Sequence, residues 1–187
     1  MMKGKTRKRT FRAIYRLLDR VSPVPFDCGR ICGAVCCQQE EGEEMGLFLL
    51  PGEEKIHDKK DAWLSWEELD TEEYDFPASW KGKVFFVNCR GPEHCRRSLR
   101  PIQCRTFPLK PCLAREVEDP SRILYREEGE ELALILSDDA LPYHCPLIES
   151  RAKLDEAFIK ATYTVWKHLM RDPLIYDLLA KKKEESI

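Results

Sequence analysis

The sequence predicts an α+β fold, a single small domain in which helices at both ends pack around a small sheet. Three features lead to this prediction. Apolar residues recur at helical spacing near each end of the chain, short apolar runs typical of strands lie between them, and eight of the nine cysteines form two clusters. The length of 187 residues suffices for one domain with its own core, and a composition of 34% charged and 43% hydrophobic residues is that of a globular protein.

A helix is predicted near each end of the chain. The first spans residues 10–21, where apolar positions follow the 3.6-residue period until Pro23 ends the pattern. The basic residues at the start of the chain predict a flexible tail over residues 1–12. The last helix is expected from about 150 to 172, with Ser150 as its N-cap and an apolar face that belongs to the core.

Strands are predicted between these helices. Residues 46–50 and 83–87 are short apolar runs typical of buried strands. The polar stretch 51–80 between them is expected to be a long loop, whose aromatic residues hold it against the core. Residues 123–125 and 131–136, which a glycine-containing turn separates, predict a β-hairpin.

The cysteines are the residues most informative about function. The first cluster contains Cys28, Cys32, Cys36 and Cys37, and the second, about fifty residues later, contains Cys89, Cys95 and Cys104, with Cys112 close behind them. Thiolates gathered in this way typically bind a soft metal ion or a metal cluster. We therefore predict that these seven residues are metal ligands, that Cys28, Cys32, Cys89, Cys95 and Cys104 converge in one site or two adjacent sites, and that this site organises the fold.

Individual cysteines within and outside the clusters are expected to differ. Adjacent side chains point in different directions in a helix or a strand, so only one of Cys36 and Cys37 is expected to bind a given small ion. The other is then a packed thiol or a ligand of a second site. Cys112 and Cys145 stand apart from the seven, and each is either a buried thiol or an additional ligand.

The cellular location decides between metal binding and disulfide bonding. No apolar run follows the basic N-terminus that could form the core of a signal peptide, and no run is long enough to span a membrane. We therefore expect a cytoplasmic protein, in which thiols stay reduced. An odd number of cysteines also cannot pair completely. The metal-binding domain is expected to occupy residues 13–187, with its cysteine core at about 28–112.

Charge is segregated along the chain. Residues 40–75 carry fourteen acidic side chains, which predict a solvated face, whereas residues 81–110 carry eight basic side chains against Glu93 alone. The absence of a nucleic-acid reader motif and a pI of about 6.1 argue against a nucleic-acid partner. A metal ion or cluster is the expected partner, no membrane is involved, and the sequence does not specify a protein partner.

Both zinc and an iron–sulfur cluster fit the clustered thiols. Structural zinc takes four tetrahedral ligands. A [4Fe–4S] cluster also takes four thiolates, and its net negative charge would be offset by Arg100 and Arg105, which flank Cys104. Arginines also favour the metal-binding thiolate form of nearby cysteines. Both arginines are therefore expected to act at the site, and the charge balance favours iron–sulfur over zinc.

Residues 100–108, with the sequence RPIQCRTFP, resemble the RPxxCRxFP signature of the YkgJ-type cysteine-cluster family. The resemblance covers about residues 28–108, since the first cluster lies where this family has its CxxCxxCC motif and Cys89 and Cys95 precede the Arg-Pro pair. Here the leading cysteines are spaced by three residues instead of two. The family is described as a zinc- or iron-chelating domain, so the resemblance implies metal binding for structural, redox-sensing or metal-handling purposes.

An enzymatic role stays open. One branch, the flagellin lysine methylases, joins such a cluster to methyl transfer, so the resemblance implies a cluster-dependent protein-lysine methyltransferase as the alternative function. The sequence contains no phosphate-binding glycine loop, dinucleotide fingerprint, zinc-protease helix motif or serine elbow. No catalytic residue is predicted, and the first hypothesis is a cytoplasmic metal-binding protein.

Overall fold

The structure, a computed structural model, describes residues 3–38, 46–137, 141, 143–150 and 152–181. The acidic residues at 40–44, residue 151 of the predicted last helix and residues 182–187 of the predicted domain lie outside these ranges. The described part contains six α-helices and two antiparallel three-stranded sheets. The α+β class is therefore confirmed, whereas the expectation of one small sheet is wrong.

The first sheet contains β1 (Gly46–Phe48), β2 (Leu64–Asp70) and β3 (Lys83–Cys89), in the order β1-β3-β2. β1 and β3 correspond to the two predicted strands. β2 lies within the stretch 51–80 that was expected to be a loop. β2 is rich in carboxylates and lies at the edge of the sheet, so most of its side chains lie outside the core. The alternation of apolar and polar residues that predicts a strand is therefore weak in β2. The sheet positions Cys89, one of the predicted ligands, because β3 ends at this residue.

The second sheet contains β4 (Leu109–Leu113), β5 (Ile123–Tyr125) and β6 (Leu132–Leu136), in the order β4-β6-β5. The pairing of β5 with β6 confirms the predicted hairpin. β4 was not predicted, because Pro111 argues against a strand. A proline is tolerated here since β4 is an edge strand.

The α-helices, in chain order, are α1 (Lys8–Leu18), α2 (Gly29–Cys32), α3 (Ile102–Thr106), α4 (Pro146–Glu149), α5 (Glu156–Leu169) and α6 (Pro173–Ala180). α1 begins inside the segment expected to be a flexible tail, and Phe11 is fully buried. α5 starts later than expected, because Asp155 instead of Ser150 caps it by accepting from the N–H of Phe158.

Two hydrophobic clusters form the interior. The main core joins α1, α5 and α6 to the second sheet, and its fully buried members include Phe11, Leu113, Leu132, Phe158 and Leu169. A smaller core, which includes Trp63, Phe85 and Val87, lies against the first sheet. Cys28 packs against the main core, while Cys89 and Cys95 pack against the smaller one. Cysteines of the two sequence clusters therefore pack against different cores.

None of the helices in the described ranges is both long and apolar enough to cross a membrane.

Candidate metal centre

The two cysteine groups meet at one cavity of about 440 Å³, which we call the thiol cavity. Six thiols line it: Cys28, Cys36, Cys37, Cys89, Cys95 and Cys104. Cys32 does not line the cavity, but it lies close enough to Cys28 and Cys36 to raise their pKa values electrostatically. The fold therefore brings six of the seven predicted ligands to one space, although about fifty residues separate the two groups along the chain.

All nine cysteines are free thiols. Across the described ranges, which include every cysteine, no group of three or more His, Cys, Asp or Glu side chains is arranged to hold a metal ion. The thiols thus surround a common space without meeting at one point. The chemistry of the donor set nevertheless fits a soft metal or a cluster, because sulfur donors dominate the polar lining and arginines accompany them.

Cys36 and Cys37 lie close together at the cavity wall. They belong to the 3₁₀ turn Val35–Cys37, which follows Gly33 and Ala34 in left-handed conformations, and their sulfurs are 3.8 Å apart. Two thiolates on one tetrahedral zinc, with Zn–S bonds of about 2.3 Å, would be about 3.8 Å apart. The expectation that these neighbouring side chains point apart is therefore wrong, because the turn directs both into the cavity.

The two thiols of this pair differ in protonation. Their hydrogen bond raises the pKa of Cys36 and lowers that of Cys37 to about 7. Arg100 adds a smaller lowering at Cys37. The thiolate, which is the form that binds metals, is therefore more favoured at Cys37 than at Cys36.

Cys89 and Cys95 form a second pair, which Arg100 accompanies. The hydrogen bond between the two thiols lowers the pKa of Cys95 to about 6 and raises that of Cys89. Arg100 Nε also donates to Cys95 Sγ at 2.9 Å, which further favours the thiolate. Cys104, on α3, is exposed toward the cavity, and desolvation followed by the charge of Cys37 raises its pKa to about 12. The cavity thus contains two thiolate-forming residues, Cys37 and Cys95, one from each sequence cluster.

Arg105 has a different role from Arg100. Its Nε donates to the carbonyl of Arg100 at 2.8 Å, and Nη2 donates to the carbonyl of Arg97 at 3.1 Å. Nη1 donates to the carbonyl of Tyr15 at 3.2 Å and to Asp19 Oδ1 at 2.9 Å, while the guanidinium lies 4.5 Å from the Tyr15 ring centre. Of the two predicted arginines, Arg100 therefore contacts a thiol, whereas Arg105 holds the backbone that carries the thiols.

Glu53 is a residue of this region that the sequence analysis placed on a solvated face. It is fully buried, and its carboxylate accepts from the Tyr15 hydroxyl and from the N–H groups of Leu50 and Ile102. His57 approaches the same hydroxyl at 3.1 Å. One sequence feature could have indicated the burial of Glu53, namely the Pro-Gly turn directly before it. Such a turn changes the direction of the chain and, with it, the direction of the polar side chain that follows.

Cys112 and Cys145 are not among the described residues that line the thiol cavity. Cys112 lies on β4, where its thiol approaches the carbonyl of Ala133 at 3.6 Å and burial raises its pKa to about 11. Cys145 is buried in the main core just before α4. Both residues therefore resemble packed thiols more than ligands.

A comparison with family models, with curated proteins and with solved structures finds no match for this chain. The resemblance to the YkgJ-type family consequently stays a prediction from the sequence motif.

Proposed function

We propose that this protein holds a thiolate-ligated metal centre in the thiol cavity, and that an iron–sulfur cluster is the favoured centre, with zinc as the alternative. One observation carries the proposal: six thiols from two distant segments line a single cavity. The cost of burying or gathering so many polarizable thiols without a ligand argues against coincidence. The reducing cytoplasm that the sequence predicts would keep these thiols available.

The candidate ligands are the six cavity thiols, and the first among them are Cys37 and Cys95, which favour the thiolate form. A centre held by residues of both clusters would close a long loop of the chain and would therefore contribute to folding. Arg100, already bonded to Cys95, would offset the negative charge of the thiolates. An iron–sulfur cluster would supply electron transfer or redox sensing, while zinc would supply structure.

Two features favour the cluster over a single ion. Zinc needs four ligands, and the cavity offers six thiols that surround a space instead of a point. A [4Fe–4S] cluster is larger than a single ion, so its ligands need not lie within one zinc coordination sphere. Charge compensation by Arg100 also favours an iron–sulfur cluster over a single zinc ion.

The test is purification without oxygen, followed by analysis of iron, acid-labile sulfide and zinc and by a visible absorption spectrum. We expect about four iron and four sulfide per chain, as a [4Fe–4S] cluster requires. Cys95→Ser should remove most of the bound metal, whereas Cys112→Ser, the matched control at a half-buried thiol outside the cavity, should retain it. One zinc per chain in a colourless protein would assign the alternative centre. A chain that retains no metal, or equal losses in both variants, would contradict the proposal.

The second candidate is methyl transfer to protein lysine, and the dimensions of the thiol cavity favour it. A volume of about 440 Å³ lies in the range of small-molecule sites, and Leu47, Trp63, Phe107 and Tyr143 provide apolar wall beside the thiols. The metal-loaded protein should then bind S-adenosylmethionine in a calorimetric titration. Absence of binding by the loaded protein would eliminate this candidate and leave the metal-binding proposal intact.

A further inference from the structure

Glu53 joins three separate segments through one buried carboxylate. Its Oε1 accepts from the Tyr15 hydroxyl of α1 and from the Ile102 N–H at the start of α3, both at 2.7 Å. Its Oε2 accepts from the Leu50 N–H at 3.1 Å. Gly52, whose φ of +96° favours glycine, turns the chain directly before Glu53. Three donors that lie far apart in sequence therefore depend on a single acceptor group.

The polar neighbours of Glu53 all donate hydrogen bonds to its carboxyl group. The Tyr15 hydroxyl has one proton, which it donates to Glu53, so it accepts from Nε2–H of His57 at 3.1 Å. The Nδ1 atom of His57 is then an acceptor, and it has no partner within the described ranges. Burial raises the pKa of Glu53, while its three hydrogen-bond donors and the charge of Arg105 lower it. Burial outweighs these donors, so the pKa of Glu53 lies above its ordinary value.

The carboxylate connects directly to the segment that carries the thiols. Ile102 is the first residue of α3, and Cys104 follows on the same short helix. Arg100, which donates to Cys95, lies immediately before this helix. Glu53 therefore holds the start of α3 from one side through the Ile102 N–H, while Arg105 holds the preceding backbone through the Arg100 carbonyl.

We propose that Glu53 is the positioning residue of the thiol cavity: its buried carboxylate fixes the start of α3 and thereby sets where Cys104 and Arg100 lie relative to the other thiols. It does not touch the metal site itself. This inference rests on the proposed function, because the value of the arrangement lies in presenting ligands to a metal centre. A positioning carboxylate of this kind affects metal affinity by about ten- to a hundredfold.

The test compares Glu53→Gln with Asp172→Asn. Glutamine has the same shape, but an NH2 group replaces one of the two carboxylate oxygens. This NH2 group must face either the Leu50 N–H or the donors that Oε1 accepts from, so in either orientation two donors oppose each other. Asp172 is an equally suitable buried carboxylate for the control, since it is 2% exposed and accepts from Thr6 and Leu174 away from the cavity. Both variants lose a buried acceptor, but only one loses it at α3.

Two measurements are made on each variant and on the unaltered protein. The first is hydrogen exchange of the α3 amides in the reduced, metal-free protein. The second is the affinity for Co²⁺, followed by its thiolate absorption bands. For Glu53→Gln we expect exchange in α3 to accelerate about tenfold and Co²⁺ affinity to fall at least tenfold. Asp172→Asn should change neither measurement, even if it lowers the melting temperature.

The outcomes separate this inference from the proposed function. Equal changes in the two variants, or unchanged α3 exchange in Glu53→Gln, would overturn the positioning role. Accelerated α3 exchange in Glu53→Gln with unaltered Co²⁺ affinity would also overturn it, because Glu53 would then hold α3 without affecting metal binding. If the unaltered protein binds no Co²⁺ and no iron, the proposed function fails, and the positioning role fails with it. The hydrogen-exchange data would still show in that case whether Glu53 anchors α3.

Discussion

Replacing Arg105 with alanine would remove a guanidinium that is only 5% exposed and that donates four hydrogen bonds. The bonds to Asp19 and to the Arg97 carbonyl are exposed, so water can replace them at small cost. The bonds to the carbonyls of Arg100 and Tyr15 are partly buried, and each hydrogen bond from a charged donor contributes about 1.5–3 kcal/mol. We therefore expect the two shielded bonds to dominate and the free energy of unfolding to fall by about 3–5 kcal/mol.

The assay is urea unfolding of the reduced, metal-free protein, followed by circular dichroism. For a chain of this size the expected loss corresponds to a melting temperature lower by about 10 °C. Arg105→Lys should recover only part of the loss, because one ammonium cannot reproduce the planar fork. Arg12→Ala, at an exposed position on α1, is the control and should stay within about 0.5 kcal/mol of the unaltered protein. A loss below about 1 kcal/mol in Arg105→Ala, or full recovery by lysine, would refute the reasoning.

The remaining predictions concern the half-buried His57 and the buried Asp172. Burial lowers the pKa of His57 to about 4, below its ordinary value of about 6.5, so the unfolded chain binds the proton more readily and stability falls as the pH drops from about 6.5 to 4. His57→Gln should remove up to about 3 kcal/mol of this pH dependence in urea titrations, and an unchanged pH profile would exclude His57 as its source. Asp172→Asn should lower stability by about 2 kcal/mol and accelerate proteolysis near Thr6, because Asp172 accepts from the Thr6 N–H and caps α6. Unchanged proteolysis near Thr6 would show that this carboxylate does not hold the N-terminal segment.

Local patterns determined the elements whose signal is strong at short range. The apolar period of α1, the buried strand β3 and the hairpin of β5 with β6 follow from residues close together in sequence. Elements with mixed signals were missed, because β2 is rich in carboxylates and β4 contains Pro111. Both are edge strands, and hydrogen bonding to one neighbour tolerates residues that a central strand would exclude.

The sequence by itself determined which residues are candidate metal ligands, because clustered cysteines with flanking arginines are typical of metal sites whatever the fold. Only the tertiary structure decided which of these residues meet. Arg105 reaches Tyr15 across 90 positions, and Glu53 reaches Ile102 across 49. Such contacts depend on how the cores pack, and no local periodicity records them. The burial of Glu53, the proximity of Cys36 to Cys37 and the separation of Cys112 from the cavity are consequences of that packing.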